Sequence, residues 1–363
     1  MTTRARDLGL PFNGTPGPYN AITDVPGVTV GFSTVIQDAA PGQHRGLCTG
    51  VSAIIPRGVS CAIEPVWAGV HSFNGNGELT GGHHIADLGW FMGPVMLTNS
   101  HSVGMVSHAT VGWMIERYPE VFERDHMWCL PVVGETYDGV LNDINARGVT
   151  EAHALEALNS ATLGPVTEGN VGGGAGMIAY EFKGGTGTAS RQITVAGQDY
   201  TLGVMVQANH GTRAAFEVAG APVGREMTDD LVFPSEMGSI IVVIATDAPL
   251  LPHQLNRLAR RGGIGIGRNG TTGGHNSGDI FLAFSIANPQ SNPWHTPDVM
   301  TLSALKDSHL DYFYTAAVQA TEEAVLNAMI AAQDRVAIKP AGKLVRAIDH
   351  DRLCAVMAAA GRL

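Results

Sequence analysis

Residues 233–250 read FPSEMGSIIVVIATDAPL. Ile240, Ile241, Val242, Val243 and Ile244 form an unbroken β-branched run. Side chains branched at Cβ suit a pleated interior, and no polar residue interrupts them, so the run predicts a strand buried on both faces. Thr246-Asp247-Ala248-Pro249 closes it with turn chemistry. Gly238-Ser239 stands at its start, which places Ser239 at the first position of a central strand.

Working outward, further strands are expected at residues 50–56, 61–70, 93–98, 128–133, 191–195, 200–208 and 280–287. Helices are expected from about residue 104 to 118 (Val106, Val111, Met114 and Ile115 inward), over 150–160 (Thr150 as N-cap; Ala152, Leu155 and Leu158 inward) and over 253–261. The longest is expected over 312–332, where Ala317, Ala320, Ala324, Ala328 and Ala331 give a small-residue face suited to close packing. Glycine-rich loops are expected at 71–84, 134–139, 168–177, 183–190 and 262–276, and a loop with few apolar anchors over 212–235. Residues 1–20 read as an irregular surface arm. Buried strands alternate with helices along the whole length, which predicts a single layered α/β domain over 1–363.

The bulk properties narrow the function. The chain has 363 residues, 15% charged, with 46 glycines and a net charge of −11. That acidity argues against nucleic acid or an anionic membrane as partner, since both are held through Lys and Arg. The opening residues lack the apolar run of a signal peptide, and no apolar stretch reaches membrane-spanning length. Cys48, Cys61, Cys129 and Cys354 are scattered, without CxxC spacing, and fit small hydrophobes in a reduced, cytoplasmic setting. The segment GIGIGRNG (263–270) suggests a dinucleotide loop, but that fingerprint needs a strand before it and a helix after it, and here a helix precedes and a strand follows. His83-His84 lacks the spacing of a metal site, so neither metal nor cofactor is expected.

A hydroxyl nucleophile fits better. Serine is a weak nucleophile until a neighbouring base takes its proton. Cleavage of the Gly238–Ser239 bond would give Ser239 an α-amine beside its own Oγ, with an ordinary pKa near about 7.7–8.0. Gly238, lacking Cβ, permits the backbone geometry of an N→O acyl shift. Equally, Ser239 suits an ordinary small polar residue where a strand begins.

Eight segments carry a specific resemblance: ITDVPGVTVG (22–31), FNGNGELTG (73–81), TNSHSVG (98–104), VVGETYDG (132–139), EGNVGGGAGM (168–177), QANHG (207–211), GSIIVVIATDAPL (238–250) and NSGDIFLAFSIAN (276–288). Together the chain resembles the self-processing serine aminopeptidases, the family of L-aminopeptidase/D-alanine esterase-amidase and the β-peptidyl aminopeptidases. The resemblance implies a four-layer αββα sandwich similar to the N-terminal nucleophile hydrolases. It implies cleavage before the nucleophile into chains 1–238 and 239–363, and assembly of these two-chain units into a homotetramer. Carried onto this sequence, it implies Ser239 as nucleophile, Ser277 and Asp279 as a proton relay, Asn209 as an oxyanion donor, Tyr137 as a lining residue and Glu135 as the carboxylate that receives the substrate's free amine. Asp279 stands where β-peptidyl members carry glutamate, one methylene longer. The expected substrates are small peptides, aminoacyl amides or esters, of L-α, D-alanyl or β-aminoacyl type. The alternatives are an acyltransferase of ornithine-acetyltransferase type, which carries threonine as nucleophile, and an unprocessed binding homologue. Read without the resemblance, Asn209 and Ser277 also suit turn or cap residues, Asp279 a local backbone acceptor, and Glu135 a solvated loop acid.

Overall fold

The computed structural model describes residues 2–38, 46–125, 127–233, 238–289 and 297–363. Residues 234–237, part of the stretch quoted first, lie outside them. In chain order the main elements begin with β1 (Thr29–Gln37), β2 (Leu47–Ile55), β3 (Val66–Ser72), α1 (Gly82–Leu88), β4 (Trp90–Phe91), β5 (Val95–Asn99), α2 (Val103–Arg117), α3 (Pro119–Arg124), β6 (Val132–Thr136) and α4 (Glu151–Asn159). They continue with β7 (Ile178–Ala179), β8 (Phe182–Lys183), β9 (Gly185–Val195), β10 (Gln198–Asn209), α5 (Val223–Glu226), β11 (Ser239–Thr246), α6 (Pro252–Ala259), α7 (Arg261–Gly267), β12 (Asp279–Ser285) and α8 (Leu310–Ile330).

Two sheets result. One has the order β1-β2-β5-β6, the other β4-β3-β12-β11-β10-β9. Neighbours are antiparallel except β5–β6 and β11–β12, which run parallel. Alternation along the strands then sorts the core into three apolar slabs. Between the sheets lie Ile54, Val95, Leu97 and Val132 from one and Met205, Ile241, Val243, Ile280 and Leu282 from the other. Outside the larger sheet, Val204, Val206, Ile240, Val242 and Ile244 meet α8, α6 and α7 through residues such as Ala320, Leu255 and Ile266. Outside the smaller sheet, Val51, Ala53 and Met96 meet Val106 and Trp113 of α2 and Ala157 of α4. The layers are therefore helix, sheet, sheet, helix, as the resemblance implied. β11 is buried along its whole length between β10 and β12, as its β-branched run requires.

Several local readings change. Residues 183–190 form no loop: they enter β8 and β9. Their small side chains let α8 lie directly on the strand, for a Cβ on Gly187 would come within 2.0 Å of the Ala324 carbonyl oxygen. The alanine face of α8 is its counterpart, with Ala317, Ala320, Ala324 and Ala328 fully buried. Gly263–Gly267 belongs to α7, not to a loop; Gly265 sits where a Cβ would meet Thr321 of α8 at 2.5 Å. The inward faces of α2 and α4 match expectation in part: Val106, Met114 and Leu158 are buried as expected. Ala109, Trp113, Ala154 and Ala157 are buried, whereas Ile115 is exposed. The expected loop over 212–235 is anchored by buried Phe216, Val218, Val223 and Met227. The N-terminal arm is tied down by ion pairs from Arg4 to Glu168 and from Arg6 to Glu323.

Candidate active site

Strand register places the first group of side chains. Ser239 pairs directly with Asn209 across β11–β10, and Ile240 pairs with Asp279 across β11–β12. Side chains directly opposite in an antiparallel pair share a face about 5 Å apart, so Asn209 and Ser239 are neighbours by construction. The segment preceding β12 comes alongside, and the Gly278 N–H donates to Ser239 Oγ at 3.0 Å. No signal in the sequence marks this donor beyond its place between Ser277 and Asp279. Gly278 is held close to the 74–79 loop, since a Cβ there would reach the Asn76 carbonyl oxygen at 2.3 Å.

Ser277 and Asp279 are fully buried and paired, with Ser277 Oγ donating to Asp279 Oδ1 at 2.6 Å. Aspartate therefore reaches its serine despite the shorter side chain. Asn74 Nδ2 donates to Asp279 Oδ2 at 3.2 Å. Asn209 is held at both ends of its amide. Its Oδ1 accepts the Ile178 N–H at 2.7 Å, and its Nδ2 donates one hydrogen to the Tyr137 carbonyl at 2.9 Å. An amide nitrogen carries two hydrogens, so a second N–H remains beside Ser239.

The other sheet supplies the facing wall. Glu135 is not in a turn, as its Gly-Glu-Thr-Tyr setting had suggested; it belongs to β6, opposite Thr98 of β5. The residue is only 7% exposed, and its carboxylate accepts hydrogen bonds from two sides. The Glu78 N–H donates to Oε1 at 2.9 Å, and the Ser100 hydroxyl donates to Oε2. Burial pushes the Glu135 carboxyl above the ordinary carboxylate range, against the pull of these two donors. Tyr137 follows β6, its ring folded against Gly139. The walls are tied together by Gln207 of β10, whose Nε2 donates to the Thr98 carbonyl at 2.9 Å and to Thr136 Oγ1 at 2.7 Å.

A cavity of about 500 Å³ lies between them, lined among others by Asn76, Glu78, Ser100, Glu135, Tyr137 and Ser239. The described lining holds two carboxylates and no lysine, arginine or histidine. A serine hydroxyl and two acidic side chains thus line one chamber, whose electrostatics suit a cation. Of the residues singled out in the sequence, Ser239, Tyr137 and Glu135 line this space. Asn209, Ser277 and Asp279 are not among its described lining residues; register sets Asn209 opposite Ser239, and the paired Ser277 and Asp279 flank Gly278. Glu78, Ser100, Asn74 and Asn76 were missed individually, although all four lie inside the FNGNGELTG and TNSHSVG segments. Among the described residues no group of three or more His, Cys, Asp or Glu side chains could hold a metal ion, and no helix is long and apolar enough to cross a membrane.

Residues 20–340 match peptidase family S58. The chain is 46% identical to the β-peptidyl aminopeptidase BapA of Sphingosinicella microcystinivorans, over 98% of this chain and 91% of that one. Among solved structures it is similar to the L-aminopeptidase D-Ala-esterase/amidase of Ochrobactrum anthropi, described as a prototype serine aminopeptidase and a variant of the Ntn hydrolase fold, with a TM-score of 0.95 and 56% identity over 99% of both chains. It is also similar to a Burkholderia sp. β-aminopeptidase, with a TM-score of 0.88 and 43% identity over 99% of both chains.

Proposed function

The chain belongs to peptidase family S58 and is a serine aminopeptidase with the Ntn-hydrolase type of fold, and from that premise we propose that its nucleophile is Ser239, freed as a new amino terminus by self-cleavage. The observation that carries this reading is that the Ser239 hydroxyl and the Glu135 carboxylate face one cavity, with Asn209 directly across the strand pair.

In the precursor, Ser239 Oγ attacks the Gly238 carbonyl carbon, the peptide becomes an ester, and water hydrolyses it to chains 1–238 and 239–363 of one layered unit. Gly238 suits this step. A Cβ there would lie 1.4 Å from the Asn209 carbonyl oxygen, so no side chain fits. In the mature enzyme the α-amine of Ser239 takes the Oγ proton, and Oγ attacks the carbonyl of the substrate's first residue. Charge develops on the carbonyl oxygen, where the second Asn209 N–H is the proposed donor. The Gly278 N–H steadies Oγ as it loses its proton. The leaving amine is protonated and departs. Water then releases the acyl group, with the Ser277–Asp279 pair sharing the proton traffic. Glu135 holds the substrate's ammonium at a fixed distance from the scissile bond, and Tyr137 shapes the wall beside it.

The substrates are amides, esters and short peptides with a free amine, including the β-aminoacyl and D-alanyl types named for the relatives. The mature units assemble as a homotetramer in the cytoplasm; four unpaired cysteines are in keeping with that compartment. Acyl transfer of the ornithine-acetyltransferase kind is not favoured, because serine occupies the nucleophile position. The test is Ser239→Ala, read by denaturing electrophoresis and by release of p-nitroaniline from aminoacyl p-nitroanilides. One uncut, inactive chain is expected. Cleavage or turnover by the variant overturns the assignment.

A further inference from the structure

An ammonium group has three N–H donors, and a carboxylate already holding two hydrogen bonds cannot take them all. Around Glu135 the arrangement is specific. Oε1 is engaged by the Glu78 N–H and Oε2 by the Ser100 hydroxyl. Ser100 lies in the turn between β5 and α2, half-buried, and itself lines the cavity beside Glu135 and Ser239. The turn is pinned by Asn99, whose Oδ1 accepts the His101 N–H at 3.0 Å and whose Nδ2 donates to Thr49 Oγ1 at 2.7 Å. A hydroxyl that spends its one hydrogen on a carboxylate keeps two lone pairs, and those of Ser100 are the only part of it left to meet a ligand.

We infer that Ser100 is the second acceptor of the ammonium site, receiving one substrate N–H on Oγ while its own hydrogen fixes the Glu135 carboxylate. This rests on the reading of Glu135 as the amine receptor. It assigns Ser100 two roles, a substrate contact and a positioning residue.

The groups facing Glu135 are Glu78, whose charge opposes its ionisation, and Ser100, the Glu78 N–H and His101, which favour it. Loss of the Ser100 hydroxyl removes a donor to the ionised form. The Glu135 carboxyl then moves further up, and the pH below which the amine is lost rises with it.

The test is calorimetric titration of the mature enzyme with propylamine, and with propanol as the uncharged control, at a series of pH values from neutral downward. Ser100→Ala is compared with Ser100→Thr. Expected for Ser100→Ala is weakening of propylamine by about tenfold or more, the scale of one hydrogen bond to a charged group, with propanol unchanged, the acid limb moved to higher pH, and substantial recovery in Ser100→Thr. Equal weakening of both probes, or propylamine binding within about twofold of the unsubstituted enzyme, overturns the inference; so does an unsubstituted enzyme that does not prefer propylamine to propanol. Because binding needs no turnover, an enzyme that binds propylamine as described but hydrolyses no aminoacyl amide would refute the catalytic reading alone.

Discussion

The two walls of the cavity are built on different principles. On the nucleophile wall, position follows from backbone register. Ser239 is opposite Asn209 and next to the Gly278 N–H because β10, β11 and β12 are hydrogen-bonded neighbours. On the amine wall, Glu135 is placed by β6, but its aim comes from two segments remote in sequence, Glu78 in one loop and Ser100 in another. The proposed chemistry is thus anchored by pairing among neighbouring strands, while the proposed recognition depends on contacts between a strand and its loops. Changes on the first wall should abolish processing or turnover. Changes on the second should weaken binding while leaving a folded, processed protein.

The sharpest break is expected at Gly238. Gly238→Ala forces a methyl group onto the Asn209 carbonyl, and self-cleavage should slow by at least about 100-fold, the scale of a misplaced reacting group. Time-resolved electrophoresis of fresh protein checks this. Next comes Glu135→Gln. It leaves the shape intact but removes the charge, and kcat/KM for aminoacyl amides should fall by about 100-fold, mainly through KM, with processing unchanged. The same variant should lose the part of the acid limb that Glu135 contributes through KM, leaving the part set by protonation of the Ser239 α-amine. In the unsubstituted enzyme the Glu135 part should lie above the ordinary glutamate range, since burial raises the Glu135 carboxyl and amine binding falls as pH drops through it. If processing fails in Glu135→Gln, the two walls are not separable as described.

Gln207 joins the walls, and Gln207→Leu should cost about tenfold in kcat/KM, split between kcat and KM, because it loosens the spacing rather than removing a reacting group. The smallest effect concerns support behind the nucleophile wall. Lys183 is fully buried, its Nζ donating to the carbonyls of Gly174 and Gly184, and burial lowers its pKa to about 7. With the folded value below the unfolded one, the unfolded chain binds the extra proton between them, so stability should rise with pH above 7. The slope should approach about 1.4 kcal/mol per pH unit until the raised Cys48 thiol opposes it near pH 9. Denaturant titrations at pH 7, 8 and 9 should show this rise, and Lys183→Met should abolish it without altering kcat.

These contrasts also explain what was legible in the sequence. The central strand was readable because five consecutive β-branched residues admit few other fates, and Ser239 came with it. The small-residue face of α8 was readable for the same reason. Its partner strand was not, because Gly184 to Ser190 resembles a loop until a helix is laid on it. Glycine there, as at Gly265, serves close approach rather than turning. The helix faces were read only in part, because alanine, threonine and tryptophan turned inward beside Val106, Met114 and Leu158 while Ile115 did not. Glu135 was singled out through resemblance, yet its strand, and its partners Glu78 and Ser100, required pairing between distant segments that no local pattern encodes. Gly278 has no side chain to announce it, and its role is carried by a backbone N–H.

The most direct measurement is the intact mass of the purified protein under denaturing conditions. Two species, residues 1–238 and a second chain beginning at Ser239, are expected. A single full-length mass in a preparation that releases amino acids from aminoacyl amides would contradict the assignment of Ser239 as an amino-terminal nucleophile.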